Sequence, residues 1–356
     1  MELFLHIGTN LEYFKLLNKG FLLSTGKTDR EIASFFMKNF SGEIKDDISP
    51  QYEVNFMAIR ELKKRYGNEV FKKISGIYYG SDNCEFLMAH KAELEQATKL
   101  FKQFNELYPP HKVRTFTFVT PYVGDNMLSH LEESLEFLNN LKIKNPIEVV
   151  VNDLGVLNLL KKKFTRLKPV YGRLTHKLLK TPLVDTYGLD AHPAGELIKN
   201  KTSQEIEIEK EKVREGQRKF YQSSEATLPI MQSFLKKNNI ERIALDYMQN
   251  RETLYDNSRY GELGLDVYYP WALVMTGRLC DTSAIENPVR GNYASDEICP
   301  RTCFRYDVFY KIKTTQYKLI QRGNAGFRSE LNLDYLPESF DRHQKNRLVF
   351  APFVTV

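Results

Sequence analysis

The chain has 356 residues, 42% hydrophobic and 27% charged, a composition that excludes a disordered or fibrous protein and leaves room for one large α/β barrel or two ordinary domains. Its formal net charge is +6, but Lys and Arg are interspersed with Asp and Glu over most of the length. That mixture argues against a dedicated nucleic-acid face and is compatible with an anionic small substrate. The opening ELFLHIG reads as a short strand, and DREIASFFMKNF and FMAIRELKKRYGNEVFKKI carry apolar residues at helical spacing. GIYYG is the next strand, with Ile77, Tyr78 and Tyr79 broken by Gly80, and HKAELEQATKLFKQFNELY is a helix stopped by Pro109 and Pro110. KVRTFTFVTP, PIEVVVND and LKPVYG are strands, separated by the helical NMLSHLEESLEFLNNLK and LGVLNLLKKKF.

Strand and helix thus alternate with short loops, the pattern of parallel strands joined by helical crossovers. Repeated far enough it closes into a TIM-like α/β barrel, whose functional groups come from the loops after the strands. That rule selects Cys84, Thr120 with Pro121 and Tyr122, Asn152 with Asp153, and Gly172 with Arg173. From about residue 195 to 235 the character changes to a charged helical excursion rich in Glu and Lys, read as a solvated insertion. The strands resume with ERIALDYM, LDVYYPWALVMTG and TTQYKLIQR. The pieces on either side read as one barrel, so residues 1–356 are expected to form a single domain. No apolar run is long enough to cross a bilayer. The opening lacks the basic start of a secretory signal, and a cytoplasmic location is expected.

The four cysteines are Cys84, Cys280, Cys299 and Cys303. In a reducing compartment they read as buried thiols, metal ligands or a nucleophile rather than disulfides. If PRTCFRY opens a helix, the C-x-x-x-C step of Cys299 and Cys303 places both sulfurs on one face. Cys84 and Cys280 each follow a predicted strand on the functional side of the barrel. Four such thiols suit a tetra-thiolate zinc or iron–sulfur site; the scattered spacing is odd for a zinc knuckle and acceptable for a 4Fe-4S cluster. The ordinary alternative is four buried thiols with no metal.

The ordered set GIYYGSDNCEF, VTPYVGDNMLSHLEESLEFL, PIEVVVNDLGVLNLL, YGRLTHKLLKTP, WALVMTGRLC and CPRTC, spread from about residue 70 to 310, resembles the collagenase-like peptidase family of unknown catalytic type. Within it the chain is most similar to the ubiquinone-biosynthesis accessory proteins of the V type. The resemblance implies an α/β barrel with a 4Fe-4S cluster on one early and three late cysteines, matched here by Cys84, Cys280, Cys299 and Cys303. It implies a role in oxygen-independent hydroxylation of a small molecule or an RNA base, usually with a partner subunit. It also makes Arg173 a candidate substrate-binding residue and sets Asn152 and Asp153 near the barrel mouth. The family label leaves a peptidase or other hydrolase as an alternative, and a cluster-carrying RNA-modification factor as another. The stretch between Cys280 and Cys299 and the charged middle depart from the family pattern.

Further candidates come from the residues themselves. Asp246 and Tyr247 end a strand, where the phenol is placed to donate to substrate. Arg278, two residues before Cys280, shares its strand face by alternation and is a candidate to hold a carboxylate or stabilise a cluster. RGNAGFR, from Arg322 to Arg328, is an anion loop or simply a turn. His176, Asp185 and His192 do not match a metal-binding spacing.

Overall fold

A computed structural model describes residues 1–24, 26–38, 50–109, 114–143, 145–176, 201–249, 251–277, 280–285, 299, 301–310 and 318–354. The first seven strands in chain order are Glu2–His6 (β1), Ile74–Gly80 (β2), Thr115–Thr120 (β3), Glu148–Val151 (β4), Lys168–Tyr171 (β5), Arg242–Asp246 (β6) and Gly264–Tyr269 (β7). Next come Trp271–Thr276 (β8), Val308–Tyr310 (β9), Leu319–Arg322 (β10), Ala325–Ser329 (β11) and Arg347–Phe350 (β12). Strands β1 to β7 and β12 pair in parallel and close into an eight-stranded barrel. Parallel strands covered on both faces need apolar side chains on both, which is why VVV and FVT run without strict alternation.

Helices supply the outer cover. Leu11–Asn18 (α1), Asp29–Lys38 (α2) and Pro50–Tyr66 (α3) lie between β1 and β2, Lys91–Leu107 (α4) follows β2, Leu128–Asn140 (α5) follows β3, and Leu154–Lys163 (α6) follows β4. The charged stretch forms Ser203–Tyr221 (α7), then Pro229–Lys237 (α8). In and just before α7 the basic residues are matched by acidic ones: Arg214 reaches Glu207 and Glu211, and Lys201 and Lys212 both reach Glu209. Such exposed pairs add little stability, but they neutralise the basic face an RNA would need. Glu338–Arg342 (α9) precedes β12. No described helix is long and apolar enough to cross a membrane.

Each barrel strand sends one residue into a central layer: Phe4, Tyr78, Val119, Val150, Val170, Ala244, Tyr268 and Val349, all buried. Below it, at the strands' N-terminal ends, the interior is ionic. Tyr78 donates to Asp266 at 2.6 Å, Arg242 pairs with Asp266, and Arg347 bonds Glu148 through both terminal nitrogens. Above it lies the mouth.

Two expectations about the strands are corrected. LDVYYPWALVMTG is not one strand. Pro270 has no N–H to donate to a ladder; the chain passes there through a cis Tyr269–Pro270 bond, and β8 leaves the barrel. TTQYKLIQR does not belong to the barrel either; its described part, β10, lies in an antiparallel sheet of order β8-β11-β10-β9. The closing barrel strand is instead the short RLVF of β12. The second sheet is thus inserted between the seventh and eighth barrel strands. It has its own apolar core of Trp271, Leu273, Ile320, Ala325 and Phe327, packed on Val54 of α3 and on Val354.

Candidate functional site

The mouth is built from residues at or just after the C-terminal ends of the barrel strands. His6 ends β1, Asp82 follows β2, Asn152 follows β4, Arg173 follows β5 and Asp246 ends β6. Arg173 spans the opening. One terminal nitrogen lies 2.8 Å from Asp246 Oδ1 and the other 2.9 Å from Asp82 Oδ2. Its guanidinium sits 4.3 Å from the centre of the Tyr268 ring and 5.7 Å from that of Phe327. All three charged side chains are buried. Asn152 Nδ2 donates to Asp82 Oδ1 at 3.2 Å and to the Thr120 carbonyl at 2.9 Å, while its Oδ1 accepts from Leu174 N. Asp246 Oδ1 also accepts from Leu273 N at 2.9 Å, which ties β8 and its sheet to the mouth. Two carboxylates face one guanidinium, a balance that disfavours the anionic substrate the composition would allow.

His6 completes this group, its Nε2 3.2 Å from the Gly80 carbonyl and its Nδ1 3.7 Å from Asp82 Oδ2. Burial lowers its pKa from the ordinary 6.5 to about 4, with Asp82 pulling it up and Arg173 pushing it down. The unfolded chain therefore binds the extra proton first on acidification. The stability contributed by neutral His6 is fully present above pH 6.5 and is lost as the pH falls towards 4. The expected loss is about 3 kcal/mol across that window. Urea unfolding at about pH 7 and about pH 4.5 should show a shallower decline for His6→Gln than for the wild type; equal declines would contradict it.

The cysteines gather to one side of this mouth. Gly80 ends β2 at φ +135, where a Cβ would meet the Val119 carbonyl oxygen at 2.1 Å. Only glycine lets the chain turn here into the Ser81–Cys84 loop. Ser81 Oγ then accepts from Asn83 N and Cys84 N, fixing the loop. Asn324, in the turn between β10 and β11, donates to the Asn83 carbonyl at 2.7 Å and to the Gly277 carbonyl at 2.8 Å. One side chain thus pins the Cys84 loop to the strand end that leads to Cys280. Cys280 Sγ lies 3.4 Å from Thr282 Oγ1, which accepts from Gly323 N. Cys84 and Cys303 share a buried cluster with Leu87, against which Phe86 and Phe304 pack; Cys299 is half-buried.

Electrostatics link all four thiols. Burial pushes Cys84 up to about 12, and Cys303 and Cys299 add to the rise. Burial also pushes Cys303 up to about 11, where Arg322 pulls it down and Cys280 and Cys299 push it up. Cys303 therefore senses Cys280 and Cys299. Among the described residues, no group of three or more His, Cys, Asp or Glu side chains is placed to hold a metal ion. Cys84 and Cys303 pack together, and the four thiols as placed do not close on one point. As a donor set they suit a soft metal or an iron–sulfur cluster, whose positive charge would offset the cost of ionising buried thiols.

The expected helix through CPRTC is corrected. Arg301 takes a left-handed φ of 54, and only the 3-10 turn Thr302–Phe304 follows. A residue in that conformation cannot continue an α-helix, so a shared helical face does not relate Cys299 to Cys303. Asp153 is the N-cap of α6, accepting from Gly155 N at 2.6 Å. Tyr247 does not face the mouth. It packs with Tyr255 and Tyr269 in the outer core, and its hydroxyl donates to the Asn332 carbonyl. Alternation puts Asp246 inside the barrel and its neighbour outside. His176 stacks on Tyr171 with Nε2 2.8 Å from the Ala244 carbonyl. RGNAGFR forms the β10–β11 turn. Arg278, Asp185 and His192 lie outside the described residues.

Sequence reasoning missed His6, Asp82 and Tyr268 as parts of the mouth. The strand-end rule that selected Cys84 and Arg173 would also have selected His6 and Asp82. Beside Arg173 a cavity of about 480 Å³ opens, lined among others by Leu174, Leu273, Met275 and Phe220. Comparison with protein-family models, curated proteins and solved structures finds no match to this chain.

Proposed function

We propose that this chain binds a 4Fe-4S cluster through Cys84, Cys280, Cys299 and Cys303, next to a barrel mouth that positions a small molecule for an oxygen-independent hydroxylation or related redox step. The observation that carries the reading is the burial of Cys84, far upstream in the chain, in one cluster with Cys303, which itself senses Cys280 and Cys299. A cluster there supplies one-electron redox chemistry. The chain's own residues do the rest. Phe86, Leu87 and Phe304 shield the Cys84 and Cys303 thiols. Asp82, Arg173 and Asp246 hold the mouth in a fixed shape, and the cavity beside Arg173 offers an apolar wall of Leu174, Leu273 and Met275 to a substrate.

A thiol nucleophile for peptide cleavage fits less well, because burial raises Cys84 and Cys303 where a nucleophile needs a lowered pKa. A partner subunit, as the resemblance implies, would cover Phe220 and Leu228, both exposed at the cavity rim.

The full chain purified under nitrogen should be brown, with a broad absorbance near about 400 nm from sulfur-to-iron charge transfer. A colourless protein that stays colourless after incubation with ferrous iron and sulfide would refute the reading.

A further inference from the structure

Charges that are mixed along the chain are sorted by the fold. Helices α5, α6 and α8 run back against the barrel strands and end at the face opposite the mouth. There Lys161 and Lys162 lie in the last turn of α6, and Lys236 and Lys237 in the last turn of α8. Arg166 lies in the loop after α6, and Lys168 opens β5. All six are exposed. Hydrogen bonds make them one strip: Lys161 Nζ donates to Asn238 Oδ1 at 3.3 Å, joining the ends of α6 and α8, and Arg166 N donates to Asn139 Oδ1 at 3.3 Å, joining α6 to α5. Their neighbour Lys163 pairs with Glu132 at 3.0 Å. Among the described residues, none of the six is in an ion pair. Cations suit helix C-termini, which accounts for the four lysines of α6 and α8. It does not account for Arg166 and Lys168, which lie beyond the helix.

Within the strip a recess of about 270 Å³ opens, lined among others by Lys168, Asn145, Asn239 and Glu241. Glu148 and Arg242, also on its wall, are engaged by Arg347 and Asp266. Amide and carboxylate side chains are the groups that hydrogen-bond base edges. We propose that this face binds the phosphate backbone of a nucleic acid, with the recess open to a base. Six mobile cations in a row can each displace a counterion from a phosphate. An anionic membrane fits less well, because interfacial binding also uses apolar side chains, and none of the large exposed ones lies in these segments. The strip uses neither the thiols nor the mouth, so it stands apart from the reading of either.

The test is fluorescence anisotropy of the full chain with a labelled oligouridylate of about 12 nucleotides, within the usual site size for single strands. Contacts to about five phosphates predict an affinity that falls about a hundredfold between about 50 and about 200 mM salt. Arg166→Glu with Lys236→Glu should weaken binding at least about tenfold and make the logarithmic salt slope shallower by about 1.4. Lys99→Glu with Lys102→Glu on α4 removes the same charge elsewhere, and screening should keep its effect under about threefold. If the first pair does not fold by circular dichroism, Arg166→Gln with Lys236→Gln replaces it, with the same direction expected. The inference is overturned by an oligonucleotide that does not bind at the lowest salt, or by equal losses in the two charge-reversed pairs. It is also overturned if polyglutamate at equal charge displaces the label as readily as unlabelled oligouridylate does. Each of these results leaves the cysteine reading untouched.

Discussion

Arg173→Met should destabilise the fold by about 3–5 kcal/mol, the usual cost of breaking a buried ion pair from one side. The substitution leaves Asp82 and Asp246, both fully buried, without the guanidinium that contacts each within 3 Å. Asp82 keeps the Asn152 amide at 3.2 Å and His6 Nδ1 at 3.7 Å, and Asp246 keeps the Leu273 N–H at 2.9 Å. Neutral donors of this kind compensate a buried carboxylate only in part. Arg173→Lys keeps the charge but lacks the planar fork that reaches both carboxylates at once, so an intermediate loss is expected. Combining Arg173→Met with Asp82→Asn and Asp246→Asn should recover part of the stability, because it removes the stranded charges. Urea unfolding of the full chain measures all four proteins. A loss under about 1 kcal/mol for Arg173→Met, the range of an exposed pair, would show that the mouth is not held by this pairing.

Cys84→Ser should abolish most metal binding while the barrel stays folded. Cys84 sits on the loop after β2, and its side chain packs in the small cluster with Leu87 and Cys303, apart from the main barrel core. Serine in its place offers a harder oxygen donor that soft iron–sulfur chemistry disfavours. Cys280→Ser, Cys299→Ser and Cys303→Ser should each give the same loss, since a four-thiolate centre needs all of its ligands. Iron analysis after anaerobic loading, paired with circular dichroism of the same samples, separates lost ligation from lost fold. Retained iron in Cys84→Ser with loss only in the downstream variants would confine the centre to residues 280–303 and remove Cys84 from it.

Much of the barrel was legible because buried parallel strands leave long apolar runs, as in EVVV and TFTFVT, and helices leave their own period between them. The closing strand was not. RLVF is four residues long and follows the polar DRHQKN, so it carries little pattern of its own, whereas TTQYKLIQR has the look of a strand and is one, in another sheet. The break at Pro270 was present in the sequence as a residue that cannot donate to a ladder, yet the apolar residues on both sides masked it. Arg173 and Asp246 were legible through their strand ends. Their partnership was not, because ion pairs between residues far apart in the chain depend on which strands become neighbours across a barrel. The C-x-x-x-C step was misread as helical since spacing alone cannot reveal the left-handed Arg301 between the two cysteines.

The most direct measurement of the central claim is the iron and acid-labile sulfide content of the full chain, purified or reconstituted without oxygen. About four of each per chain are expected for a 4Fe-4S centre. A chain that holds a single zinc ion, or none of these elements after reconstitution, would contradict it.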